Sequence, residues 1–182
     1  LLKMTMEANP DLIGVFTCWD PNGFDGMDAG YSGEIGHDAS GRFAPYVSLD
    51  EAGKAKIVPL MSLENRMQNE TPGPWYDVPK STSNEFIQDP YEIPHHDKKI
   101  VITSITVPII ANQQFFGVVG VDMSLDFIQS LTDTIDIYNG SGQMLVISNN
   151  GLIAGISKGR ERITQHIKNV HQEDHESELK LI

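Results

Sequence analysis

Apolar and polar positions along the chain alternate between a short helical spacing, several strand-like runs and one amphipathic stretch. "LLKMTMEA" carries helical spacing and stops at Asn9-Pro10, a pair that ends helices. "LIGVFTCW" (12–19) is apolar and rich in strand formers. "RFAPYVSL" and "KAKIVPLM" alternate as short strands around a "DEAG" turn, and "NEFIQDPYEI" reads as a strand with a proline-limited end. The clearest pair is "KIVITSITVPII" (99–110) and "QFFGVVGVDM" (114–123), two long β-rich runs joined by "ANQ", which predicts an antiparallel hairpin. "SLDFIQSLTDTI" (124–135) places apolar residues at Leu125, Phe127, Ile128, Leu131 and Ile135 behind Ser124, an N-cap residue type, and predicts an amphipathic helix. "QMLVISNNGLIAGIS" predicts a second hairpin about Asn150-Gly151, and "KGRERITQHIKNVHQ" a polar-faced helix after it.

Between these runs lie two segments that the pattern leaves irregular. Residues 20–41 are rich in Gly, Asp and Asn, and a loop this long inside a compact domain is usually functional or covers something. Around "PGPWYDVPK" (72–80), the three prolines argue against regular helix and against a central strand, which leaves Trp75 and Tyr76 in a loop. Together the elements predict an α+β fold, an antiparallel sheet flanked by helices. One module of four to six strands ends near residue 135, and a second starts with a hairpin and a helix and then stops. The chain opens at "LLKMTMEANP" without an initiator Met and closes at "ESELKLI", so it is expected to be a piece of a longer protein.

At 182 residues with 40% apolar and 8% aromatic side chains, a packed core is within reach and global disorder is not expected. The net charge of −12 argues against nucleic acid as a partner. An acidic field attracts cationic small molecules, and it also serves solubility alone. Cys18 is the single cysteine, which rules out an intramolecular disulfide framework, and its apolar surroundings predict a small buried hydrophobe. No apolar run approaches the 18 or so residues that cross a bilayer, and no signal peptide is visible.

Catalytic and metal motifs are absent from the pattern. No glycine-rich phosphate loop and no nucleophile elbow is present, and no enzymatic activity is expected. "DPNGFDGMD" (20–28) departs from the calcium loop, with Phe24 at the third ligand position and Asp25 at the glycine position, and reads as an Asx-rich turn. "HHD" (95–97) points three adjacent side chains in different directions, and of His166, His171 and His175 only the last two share a helical face. No metal and no cofactor is expected.

The residues that resist a purely structural account are Trp19, Trp75, Tyr76, Tyr91 and Asp122. Asp122 closes the apolar run "FFGVVGVD". Pointing inward, it needs a cation or several donors, because an unpaired buried carboxylate is very costly. Pointing outward, it caps the helix that begins near Ser124. Trp75 and Tyr76 are core filler, an anchor for a partner, or the wall of a pocket. Aromatic walls with one carboxylate are a physical means of holding an ammonium group.

In that order, "ANPDLIGVFTCWDPNGFDGMD", "GRFAPYVS", "WYDVPK", "DPYEI" and "VPIIANQQFFGVVGVDMSLDFIQ" resemble the double Cache (dCache) sensor domains, over roughly residues 5–160. These are extracytoplasmic ligand-binding regions of prokaryotic chemoreceptors, sensor histidine kinases and related transducers. The resemblance implies a PAS-like sheet, with residues 1–10 the end of a stalk helix. Residues 11–135 would be the membrane-distal ligand-binding module and residues 136–182 part of a membrane-proximal one. It implies a periplasmic portion of an inner-membrane protein, chemotaxis receptor first, and a homodimer through the stalk.

In amino-acid-binding members the Trp-Tyr pair, a later Tyr and a strand-end Asp surround the ligand. Those positions are Trp75, Tyr76, Tyr91 and Asp122 here, with Trp19 and Asp20 further candidates at the mouth and Arg42 a brace for the long loop. Such members carry an Arg for the ligand carboxylate just before the pair. This chain has Gly73-Pro74 there, with Arg66 the nearest upstream Arg, and amines suit what remains of the site. The expected ligand is therefore a small amine or amino acid, more than a carboxylate. The alternatives are a kinase input domain for a purine or carboxylate, and a protein-interaction module whose aromatics merely pack.

Overall fold

A computed structural model describes residues 1–58, 60, 73–95, 98–135, 137–139 and 141–169. The chain forms two compact units, one of residues 1–88 with 104–123 and one of residues 89–103 with 124–182.

The first unit opens with α1 (Leu2–Ala8), which stops at Asn9-Pro10 as the sequence predicts. Strand β1 (Leu12–Trp19) follows, then a long loop holding one 3₁₀ turn (Asp28–Gly30), then β2 (Tyr46–Leu49) and β3 (Ala55–Val58). Helix α2 (Pro74–Thr82) leads to the two-residue strand β4 (Phe86–Ile87). The long hairpin is present as β6 (Lys98–Ala111) and β7 (Gln114–Ser124). Its tip is Asn112-Gln113, both at positive φ (50° and 65°), the mirror-image turn whose twist matches the strands it joins. The sheet order is β3-β2-β1-β7-β6-β4, so β1 and β7 lie at its centre, and the pairings are antiparallel.

Helix α2 corrects the sequence reading, which put Trp75 and Tyr76 in a loop. Pro74 occupies the first helical position, where its missing N–H would have had no intrahelical partner. Pro79 lies inside the helix and forgoes one bond, while Trp75, Tyr76 and Pro79 are buried. The tertiary burial of two large aromatics outweighs one lost backbone bond. Gly73 carries φ 114°, and its carbonyl accepts the N–H groups of Tyr76 and Asp77.

In the second unit, β5 (Tyr91–His95) pairs with the N-terminal half of β6, Tyr91 opposite Ile102. Helix α3 (Asp126–Thr134) and the hairpin β8 (Leu145–Ile147) and β9 (Ile153–Ile156) follow. The turn at Asn150-Gly151 is as predicted, with Gly151 at φ 84° and its N–H on the Ser148 carbonyl. Helix α3 buries a different face from the one its apolar residues mark, since Phe127 is 66% exposed whereas Gln129 and Thr132 are buried. The Gln129 amide explains this: its Nε2 donates to the Ile156 carbonyl (2.7 Å) and its Oε1 accepts the Ile156 N–H (3.2 Å), satisfying the backbone of β9. Residues 160–162 form a 3₁₀ turn and His166 an isolated bridge to Leu152, so regular helix does not begin at residue 158 as expected. His96, Asp97, His171, His175 and Arg66 lie outside the described residues.

The long loop is held by its own acidic side chains. Asp25 Oδ1 accepts the Met27 N–H two residues on, the Asx geometry that the sequence suggests, and Asp28 Oδ2 accepts the Asn22 N–H. Gly41, at φ +86°, passes so close to Asp28 that an added Cβ would lie 1.7 Å from its carbonyl oxygen. Gly41→Ala is expected to cost about 1–3 kcal/mol from the left-handed backbone alone, and more from that contact. Gly26→Ala, at φ +76° with nothing within 4 Å of the new Cβ, should cost only the backbone part. Urea denaturation measures both, and equal losses would show that the close approach of the loop's ends is immaterial.

Candidate functional site

The register of the two central strands sorts the candidate residues. Gly14 pairs with Asp122, Phe16 with Gly120 and Cys18 with Val118, so these residues point to one face of the sheet. There Phe16, Cys18 and Val118 pack with Ala44, Leu60, Trp75 and Tyr76, the last two delivered by α2. Val15 faces the other way, with Val47, Ala55 and Met6 of α1.

On the α2 face, two glycines make room for aromatic rings lying on the sheet. A Cβ on Gly14 would sit 2.1 Å from the Tyr46 ring, and one on Gly120 would sit 2.5 Å from that of Phe16. Tyr46 stacks on Phe16 at 6.1 Å between centroids, and Trp75 meets Phe16 edge-on at 5.2 Å. Tyr76 adjoins Trp75 at 5.9 Å and Phe115 at 5.5 Å, so a continuous row of rings runs along the face.

A carboxylate stands near each end of this row, and the two are handled oppositely. Asp122 is 6% exposed; its Oδ1 accepts the Ser104 hydroxyl (2.6 Å) and its Oδ2 the Tyr46 hydroxyl (2.9 Å). Burial raises its pKa above the usual carboxylate range, and the hydrogen bonds from Ser104 and Tyr46 recover only part of that. Among the described residues no cationic side chain forms an ion pair with it. The helix after it has Leu125 as N-cap with no side-chain cap, and the Asp126 N–H goes to the Ser124 hydroxyl, so Asp122 does not take the helix-capping role open to it in the sequence.

Asp20, just past the end of β1, accepts the Tyr76 hydroxyl (2.5 Å) and the Lys80 ammonium (2.6 Å) on one oxygen. Partial burial pushes its pKa up, but the Lys80 and Tyr76 hydrogen bonds and the charges of Lys80 and Arg42 outweigh it and hold the group below the ordinary value. The groups on this face are poor nucleophiles. Burial lifts the Cys18 thiol to about 12, and burial together with the bond to Asp20 raises the Tyr76 hydroxyl. Neither the Cys18 thiol nor the Tyr76 hydroxyl is therefore an activated attacking group.

Trp75, Tyr76 and Asp122 thus share one face, and Asp20 joins them through Tyr76. Trp19 does not, because its odd position turns it to the other side, where its ring meets Phe24 at 5.0 Å. Tyr91 belongs to the second unit and is half-buried there on β5. Arg42 donates from Nε to the Trp19 carbonyl and lies over the Tyr76 ring, bracing the end of the long loop. Sequence reasoning missed Tyr46, Phe16 and Ser104. Ser104 had a signal, a hydroxyl in the apolar run "KIVITSITVPII" that the structure leaves 1% exposed.

A family model described as the methyl-accepting chemotaxis protein-like, first PDC sensor domain matches residues 1–130. The chain is 27% identical over 168 residues to the methyl-accepting chemotaxis protein TlpQ of Pseudomonas aeruginosa, covering 86% of this chain and 23% of that protein. Among solved structures it is similar to the extracellular domain of the candidate histidine kinase mmHK1S-Z2 at TM-score 0.73 and 29% identity, covering 90% of this chain and 57% of that one. Methyl-accepting chemotaxis protein X shares the fold at TM-score 0.69 and 23% identity, over 94% of this chain and 62% of its own. The chain therefore spans under a quarter of the curated relative and little more than half of the solved chains.

The raised pKa of Asp122 has a definite sign in stability. The folded state binds this proton more readily than the unfolded chain, whose carboxylate titrates near 3.9. The contribution of Asp122 is thus most favourable below that pH, falls as pH rises through the raised folded value, and is constant above it. Asp122→Asn removes the titration, so the mutant's stability relative to wild type should climb from acid to neutral pH in denaturation midpoints. A difference independent of pH would show that Asp122 does not feel its burial.

Proposed function

The chain belongs to the methyl-accepting chemotaxis protein-like first PDC sensor domain family, and from that premise we propose that it is the extracytoplasmic input domain of a transmembrane chemoreceptor, binding a small amine-bearing ligand. One observation carries the ligand class. Asp122 is buried on the aromatic face with, among the described residues, only neutral hydroxyl donors, and a buried carboxylate so placed gains most from an entering cation. The rings of Tyr46, Phe16 and Trp75 on the same face add cation–π attraction and apolar area.

In this reading Asp122 anchors the ammonium, and Trp75 and Tyr76 form the wall behind it. Residues 11–135 are the membrane-distal module, and residues 136–182, with the β8–β9 hairpin, begin a membrane-proximal one. Residues 1–10 are the end of a stalk helix, and a homodimer would form through that helix. Ligand binding favours one conformation of the module and shifts the populations of the attached transducer, a role of recognition rather than catalysis. The likeness to a candidate histidine kinase supports a second reading of the output, in which the same input domain drives a kinase.

Thermal-shift and calorimetric titrations with amino acids, mono- and diamines, purines and amine-free carboxylates test the ligand class. An amine at 100-fold excess over its Kd should stabilise the fold by about 2.7 kcal/mol. Asp122→Asn should weaken that amine by about 10- to 100-fold, the roughly 1.5–3 kcal/mol of a hydrogen bond to a charged group. Stabilisation by amine-free compounds alone, or unchanged amine affinity in Asp122→Asn, would sink the proposal.

A further inference from the structure

Arg42 stands toward the far end of the aromatic row from Asp122, and its bonding is incomplete. Its residue is only 9% exposed, its Nε–H donates to the Trp19 carbonyl, and its Cζ lies 4.7 Å from the Tyr76 ring centroid. Among the described residues the buried Nη2 group has no hydrogen-bond partner. A guanidinium presents its donors in a fixed planar fork, so an empty arm in a buried setting is a site for an acceptor.

The carboxylates of this neighbourhood are engaged elsewhere. Asp38 Oδ1 accepts the Ser40 N–H, the Ser40 hydroxyl and the Arg42 backbone N–H, and Asp20 Oδ1 accepts Tyr76 and Lys80. Neither forms an ion pair with the Arg42 guanidinium among the described residues. Lys80 lies 5.6 Å from the same Tyr76 ring, so two cations flank it.

We propose that the buried Nη2 of Arg42, over Tyr76 and near Lys80, is an anion subsite that takes a carboxylate of a bound small molecule. Arg42 and Lys80 face Asp20 and Asp38, so the local charge is balanced before a ligand arrives. That balance suits a monoanion such as a carboxylate better than a phosphate dianion. It would fill the role that Gly73-Pro74 cannot, from the long loop rather than from the start of α2.

The subsite is separate from Asp122. Arg42 holds the carbonyl of Trp19 while Asp122 pairs with Gly14, and those two points on β1 are roughly 16 Å apart at about 3.3 Å per residue. An α-amino acid, with both charges on one carbon, reaches one position only. A single ligand that engages both is an extended zwitterion, such as an ω-amino acid.

The test compares glycine, 4-aminobutyrate and 8-aminooctanoate with their carboxamides, by calorimetry on the wild-type chain and on Arg42→Gln. The acid is expected to bind at least about tenfold more tightly than its amide for the longest compound, and that ratio should fall toward one in Arg42→Gln. A ratio near one at every length in the wild type overturns the proposal, as does an undiminished ratio in Arg42→Gln. The wild-type comparison stands even where Arg42→Gln fails to fold, and Arg42→Lys then serves as the second variant, with a reduced ratio expected. Acetate binding that needs Arg42 supports this subsite whatever Asp122→Asn does, whereas unchanged affinity for 1-aminohexane in Asp122→Asn overturns the amine reading and leaves the subsite standing. Amine binding indifferent to the carboxylate would do the reverse.

Discussion

The antiparallel pairing of β1 with β7, from Gly14–Asp122 to Trp19–Gly117, is the constraint on which the rest of the first unit depends. Because side chains alternate across a strand, one register decides every facing at once. Phe16 and Cys18 are committed to α2, and Val15 to α1. The same register sets Asp122 opposite a glycine, the residue without a side chain that would crowd the carboxylate. Tyr46 then fills the space over Gly14 and reaches Asp122 with its hydroxyl.

Two carboxylates on this frame illustrate two solutions to the cost of burying charge. Asp20 is partly exposed and satisfied by Lys80 and Tyr76, so it is electrostatically finished. Asp122 is deeper and among the described residues receives only hydroxyl donors, which satisfy hydrogen bonding without neutralising charge. Burial beside aromatic rings therefore raises its proton affinity. At the other end of the row, Arg42 keeps a donor without an acceptor among the described residues. Both are arrangements that folding alone would not favour.

Much of the fold was legible in the chain. The strand runs, the hairpin about Asn112-Gln113 and the turn at Asn150-Gly151 rest on local periodicity and turn chemistry, which neighbours in sequence determine. Helix α2 was not legible, because proline counts against a helix locally while the burial of Trp75 and Tyr76 that favours it is supplied by β1. The buried face of α3 was hidden for a similar reason: Gln129 looks like a solvent-facing residue until the backbone of β9 is placed beside it.

For the site, the sequence by itself determined the chemical types, namely an aromatic pair, a carboxylate closing an apolar strand, and the absence of an Arg before the pair. Which of them meet was decided only by the tertiary structure. Asp122 and Trp75 share a face through strand register and helix docking, Trp19 is turned away by the parity of its position, and Tyr46 and Ser104 become the partners of Asp122 across 76 and 18 positions of sequence. Local pattern carries the propensity of each segment. The pairing of distant strands, with the burial it enforces, carries the environment that gives a side chain its charge state and its use.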